Sequence, residues 1–154
     1  MAEPGLLHLR AEDDEDLTVI AAAVHSAVAK VGDIAYQPTE RRFAVMMNRF
    51  RWERPDASSS AFAATDQRVR SALRFDYVTA VQARGIDHRA RDRVLELLTI
   101  SAHLDGTNGA EVNLVFAGNA TIRLELECID LSLDDIGAPW QTRRRPNHHL
   151  AGED

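Results

Sequence analysis

Cysteine and lysine are almost missing from this chain of 154 residues: Cys128 and Lys30 are the only ones. A single cysteine excludes an intramolecular disulfide, and no metal-type spacing surrounds it, so it is not part of a zinc site. The six histidines, at 8, 25, 88, 103, 148 and 149, form no H-x-x-x-H or His/Cys pair, and no metal is expected. No window approaches 18 consecutive apolar residues, so no helix is expected to span a bilayer. The first sixteen residues carry acids where a signal peptide would be hydrophobic, and the expected location is the cytoplasm.

The motifs of common chemistry are missing too. There is no G-x-S-x-G elbow for a nucleophile, no Walker loop and no G-x-G-x-x-G, so no nucleotide cofactor is implied. Ser58, Ser59 and Ser60 fall in a loop that cannot place a nucleophile precisely. Glu125 and Glu127 share one strand face, as the wet side of a hairpin would. No catalytic, cofactor-binding or metal residue is expected, which makes an enzyme with an unrecognised site the third reading of function.

What is present is an ordinary core and an uneven charge. Hydrophobic residues make up 45% and charged residues 27% of the chain, values of a globular domain. Net charge is −6, yet residues 41–93 hold 12 bases and 6 acids, while residues 1–40 hold 2 bases and 8 acids. Nearly every base is arginine, as GC-rich codon usage produces, so the clustering carries the information rather than the number.

Leu17, Ile20, Ala21, Val24 and Val28 recur at helical spacing behind Asp13-Asp14-Glu15-Asp16, which predicts a helix capped and dipole-stabilised by that acid run. Residues 31–36 and 41–52 read as a strand hairpin. Phe43, Val45 and Met47 share one face, while Phe50 and Trp52 have the opposite parity, so a bulge near Asn48-Arg49 is expected to reset the phase. Residues 53–67 break all periodicity and predict an exposed loop. Val69, Ser71, Leu73, Phe75 and Tyr77 then form the dry face of a strand whose wet face carries Arg70 and Arg74. Residues 94–104 fit either a strand or a short helix, and the flanking turn residues favour strand.

The best hairpin joins Val112–Phe116 to a strand from Ala120 through Cys128. A three-residue loop at 117–119 pairs Phe116 with Ala120, Leu114 with Ile122 and Val112 with Leu124, which leaves one face wholly apolar. Cys128 continues that parity as a packing residue. Leu131, Leu133 and Ile136 close the domain, and residues 141–154 predict a disordered tail. The expected fold is α+β: one domain over residues 1–140, a mainly antiparallel sheet of about seven strands able to curl into a partial barrel, covered by the one helix.

One cluster exceeds this background. Arg41, Arg42, Arg49, Arg51 and Arg54, with Arg68, Arg70 and Arg74 on the next strand, interleave with Phe43, Phe50, Trp52, Phe75 and Tyr77. Arginine and aromatics on a sheet can bind phosphates and stack bases, or the arginines can form a solvated or subunit-pairing face. Arg49, Arg51 and Trp52 are the residues expected to make such contacts.

The strings Lys30-Val31-Gly32-Asp33-Ile34-Ala35-Tyr36, Asn48-Arg49-Phe50-Arg51-Trp52-Glu53, Arg84-Gly85-Ile86-Asp87 and LVFAGNATIRLELECID resemble the bacterial, mainly alphaproteobacterial family named domain of unknown function 2948. The likeness runs from about Leu6 to Trp140. It implies a small cytoplasmic bacterial protein and supplies no catalytic residues. The expected function is a non-catalytic protein-interaction or assembly module with a protein partner or a second copy of itself. The alternative is nucleic-acid or polyanion binding through the arginine hairpin.

Overall fold

The acid run starts the helix that its spacing predicts. In a computed structural model, which describes residues 6–52, 67–104, 106 and 109–141, α1 spans Asp14–Ala23. Asp13 caps it by accepting a hydrogen bond from the Asp16 backbone N–H at 2.8 Å, and Asp14, Glu15 and Asp16 occupy the positive end of the dipole. Leu17 and Ile20 turn inward, each contributing about 1.5–3 kcal/mol of burial. The helix ends before Val28, because Ser26 takes a positive φ and its N–H donates to the Leu97 carbonyl.

The strands are β1 (His8–Ala11), β2 (Val28–Lys30), β3 (Ile34–Gln37), β4 (Arg42–Phe50), β5 (Gln67–Phe75), β6 (Val78–Arg84), β7 (Val94–Leu104), β8 (Ala110–Phe116), β9 (Ala120–Leu126) and β10 (Leu131–Gln141). Apart from Gln67 and Gln141, the expected loop at 53–67 and the expected tail lie outside the described residues. Among the described residues the strands number ten, not seven, for three reasons. The opening apolar residues add β1, a 3-10 turn at Val31–Asp33 separates β2 from β3, and the expected long strand from Val69 breaks at Tyr77. Residues 94–104 are strand.

All pairings are antiparallel, in the order β1-β10-β5-β4-β2-β7-β8-β9-β6, with β3 beside β4. Among the described residues this path stays open, and no barrel closes. The β5–β6 and β9–β10 corners run together, joined by Asp76 N–H to the Asp130 carbonyl and Glu127 N–H to the Tyr77 carbonyl, both 2.9 Å. Strand β7 links the two halves of the sheet, pairing β2 through its first residues and β8 through the rest. Phe43, Leu73, Phe75 and Leu131 from one half meet Leu97, Leu114 and Leu124 from the other in a single hydrophobic core, and α1 adds Leu17 and Ile20 to it.

The β8–β9 hairpin has the predicted register, Phe116↔Ala120, Leu114↔Ile122 and Val112↔Leu124. Two expectations at the corners are corrected. Tyr77 leaves the core: it takes φ 61° and is 41% exposed, with Arg41 Cζ 5.9 Å from its ring centre. Strand β9 ends at Leu126, so Cys128 lies past it and is only half-buried. Burial pushes the Cys128 thiol up from its ordinary value, and the nearby acids Asp130, Glu127 and Glu12 push it further. A thiol held protonated in this way is a poor nucleophile.

Candidate interaction surface

Strand β4 alternates without interruption. Phe43, Val45, Met47 and Arg49 all point inward, and the β4–β5 register runs unbroken from Phe43↔Phe75 to Phe50↔Arg68. The expected bulge is therefore absent, and the phase is kept by burying arginine. Arg49 is 0% and Arg51 4% exposed. Neither presents the accessible face that the expected contacts need.

Arg49 crosses β5 to reach β10, where its Nε and Nη2 donate to Asp135 Oδ1 and Oδ2 at 2.8 and 2.7 Å. Ser71 Oγ donates to Asp135 Oδ1 at 2.6 Å, and the Leu7 N–H donates to Oδ2 at 2.8 Å. Asp135 N–H returns a bond to the Leu7 carbonyl at 3.0 Å. A planar fork on a carboxylate is the geometry that makes a buried charge tolerable. Burial pushes the Asp135 carboxyl up, but the hydrogen bonds from Arg49, Ser71 and Leu7 and the Arg49 charge outweigh it, so the group sits below its ordinary value. Arg51 Nη1 donates to Gln67 Oε1 at 2.8 Å. These two arginines hold strand ends together from inside.

The outer parity of the same strands carries the aromatic residues. Phe50 lies opposite Arg68, whose Cζ stands 4.1 Å from the Phe50 ring centre. On the other side of Arg68 comes Trp140, because the irregularity after Ile136, with Gly137 at φ +79°, lets β10 skip forward and set Trp140 opposite Arg68. Trp52 packs against Phe50 at 5.1 Å between ring centres, and its Nε1 donates to the His25 carbonyl at 3.0 Å. His25 in turn meets the Leu98 carbonyl through Nδ1 at 3.0 Å. Trp140, Arg68, Phe50 and Trp52 thus follow one another across the end of the sheet. Trp52, Trp140 and Leu98 are 41%, 42% and 40% exposed, and Ile136 beside them 44%.

Of the three residues expected to interact, only Trp52 presents a surface. Trp140 carries no such signal in the sequence, because Gly137-Ala138-Pro139 reads as the end of an element rather than as a bulge inside one. The other arginines of the cluster are engaged at home: Arg70 with Asp33 at 3.3 Å, Arg42 and Arg74 with Asp76 at 3.1 and 3.2 Å, and Arg41 with Glu127 at 2.8 Å. Arg54 and the three loop serines lie outside the described residues. No helix among the described residues is long and apolar enough to cross a membrane.

These features define an α+β domain of antiparallel sheet, pinned internally by a buried ion pair and bearing an aromatic belt at one end. The family model described as "Protein of unknown function (DUF2948)" matches residues 7–148, nearly the whole chain, and the chain belongs to that family. No curated protein and no solved structure matches it significantly.

Proposed function

We propose that the protein is a non-catalytic, cytoplasmic interaction module whose aromatic belt docks a segment of a protein partner. The observation that carries this reading is the placement of two tryptophans, Trp52 and Trp140, each more than two-fifths exposed, on either side of Phe50 and Arg68. Tryptophan and arginine are the residues that dominate interface energies, and neighbouring exposed apolar groups mark interaction sites. Arg68 against the Phe50 ring adds a cationic point among apolar contacts. A segment alternating carboxylates with apolar side chains complements such a belt.

Ion pairing within the fold weighs against the nucleic-acid alternative, since Arg41, Arg42, Arg70 and Arg74 already face carboxylates. A pull-down from host lysate, with and without nuclease, separates the two. The wild type is expected to retain one protein at near-stoichiometric amount in both arms, and Trp52→Ala with Trp140→Ala to retain at least about tenfold less, a loss of about 1.4 kcal/mol or more. Equal retention by the variant, or retention that vanishes with nuclease, overturns the reading.

A further inference from the structure

The opposite half of the sheet carries a second feature that owes nothing to the belt. A cavity of about 590 Å³ opens over the outer face of β6, β8 and β9, lined by Gln82, Ala83, Arg84, Asn113, Thr121 and Arg123. It is open to solvent and has room for a small molecule that stays partly exposed. The ladder explains the lining: Gln82 pairs with Arg123 and Arg84 with Thr121 across β6 and β9, while Asn113 faces Arg123 from β8. Arg123 is fixed at the centre, donating to Gln82 Oε1 at 3.0 Å and standing 3.5 Å from Glu111 Oε1. Asn113 Nδ2 donates to the other oxygen of Glu111 at 3.2 Å.

The charge around this cavity differs from the rest of the described surface. At least eight described arginines reach a carboxylate within 4 Å, from Arg10 on Asp130 to Arg123 on Glu111. Lys30, Arg84, Arg91 and Arg93 reach none among the described residues, and these four belong to one corner. Arg93 Nη1 donates to the Gly85 carbonyl at 2.8 Å, next to Arg84, and Arg91 Nη2 donates to the Gly32 carbonyl at 3.2 Å. Lys30 pairs in the ladder with Val94, the neighbour of Arg93. Asp92 is the acid set among them, and Asp87 is taken by Arg89. In a chain of net charge −6, Arg84 on the cavity wall and Arg93, held on the adjoining Gly85 carbonyl, are placed for an anion from outside.

From this arrangement we infer that the cavity binds the phosphate ester of a small, hydroxyl-rich molecule. Arg84, with Arg93 beside it, takes the phosphate, because a guanidinium fork matches its oxygens. Gln82, Asn113, Thr121 and Arg123 supply amide, hydroxyl and guanidinium groups to the hydroxyls. None of the described residues that line the cavity is aromatic, and their amide, hydroxyl and guanidinium groups suit a sugar-like body.

Titration of the full chain with glucose 6-phosphate, followed calorimetrically and by amide NMR shifts, tests this. Saturable binding is expected at least about tenfold tighter than that of glucose or inorganic phosphate, with shifts at Thr121 and Asn113. Arg84→Ala, on an exposed edge strand where folding does not depend on it, should weaken binding about tenfold, and Asn113→Ala should weaken it too, while Arg74→Ala leaves it unchanged. The inference fails if glucose 6-phosphate does not saturate below about 10 mM or binds no better than glucose. It also fails if Arg84→Ala binds as the wild type does, or if only a single-stranded oligonucleotide binds.

Discussion

Arg49→Met is expected to destabilise the protein by about 3–5 kcal/mol, the cost of leaving a buried carboxylate without its counter-charge. Against a typical total of about 5–15 kcal/mol this is a large share, corresponding to a fall in melting temperature of roughly 10 °C. The reason is geometric. Asp135 is 4% exposed and receives both guanidinium bonds from Arg49, so water cannot replace the lost donors. Adding Asp135→Leu to Arg49→Met should recover part of the loss by removing the orphaned charge, though the Ser71 hydroxyl and Leu7 N–H still lose their acceptor. Chemical denaturation of the two single variants and the double variant closes the cycle. If Arg49→Met unfolds at the wild-type midpoint, the pair contributes nothing.

The same carboxylate shapes the acid limb. Its folded pKa is depressed below the ordinary 3.8, so its contribution is fully present above the unfolded value and is lost as pH falls through the folded one. Wild-type stability should therefore decline below about pH 4, and Asp135→Asn, already less stable at neutral pH, should show a shallower decline there. Denaturant midpoints measured from pH 7 down to pH 3 give the comparison, and parallel curves would exclude Asp135 as a source of acid sensitivity.

The second large effect is expected at Gly85. This residue follows β6 at φ +77°, and a Cβ there would lie 2.3 Å from the backbone carbonyl oxygen of Asn119 in the β8–β9 turn. A backbone atom cannot swing aside as a side chain can. Gly85→Ala thus combines left-handed strain, about 1–3 kcal/mol, with an overlap that must push the turn away from β6. Melting should fall by several degrees, and the glucose 6-phosphate titration should weaken as well, since Arg84 and Thr121 flank the displaced contact. Gly106 is the control: it has φ +90° but no described atom within 4 Å of the added carbon, so Gly106→Ala is expected to show the strain without that overlap.

Local pattern carried much of this fold. The helix could be read from apolar spacing behind an acid run, and the β8–β9 register from the rule that only a three-residue loop keeps Leu114, Ile122 and Leu124 on one face. Ser71, standing in an otherwise dry row, was the one local sign that something polar lay buried near it. Parity, however, states only which residues share a face. With Phe43, Val45 and Met47 inward, it assigned Arg49 and Arg51 to the core as plainly as it assigned Phe50 and Trp52 to the outside. Hydropathy argues the reverse, and only a bulge would reconcile the two.

By itself, then, the chain's sequence determined the α+β class, the helix and the strongest hairpin, because caps, turns and side-chain period act over a few residues. Only the tertiary structure decided the rest. Asp135, which lets Arg49 go inside, is 86 residues away, and no local rule connects them. The breaks at Tyr77 and past Leu126 come from two chain segments turning the corner together through mutual hydrogen bonds. Trp140 joins Trp52 and Phe50 because β10 pairs with β5 and slips at Gly137. Arg84, Arg91, Arg93 and Lys30 gather at one corner because β2, β6 and β7 end there, and long-range strand pairing, not neighbourhood along the chain, set which charges meet.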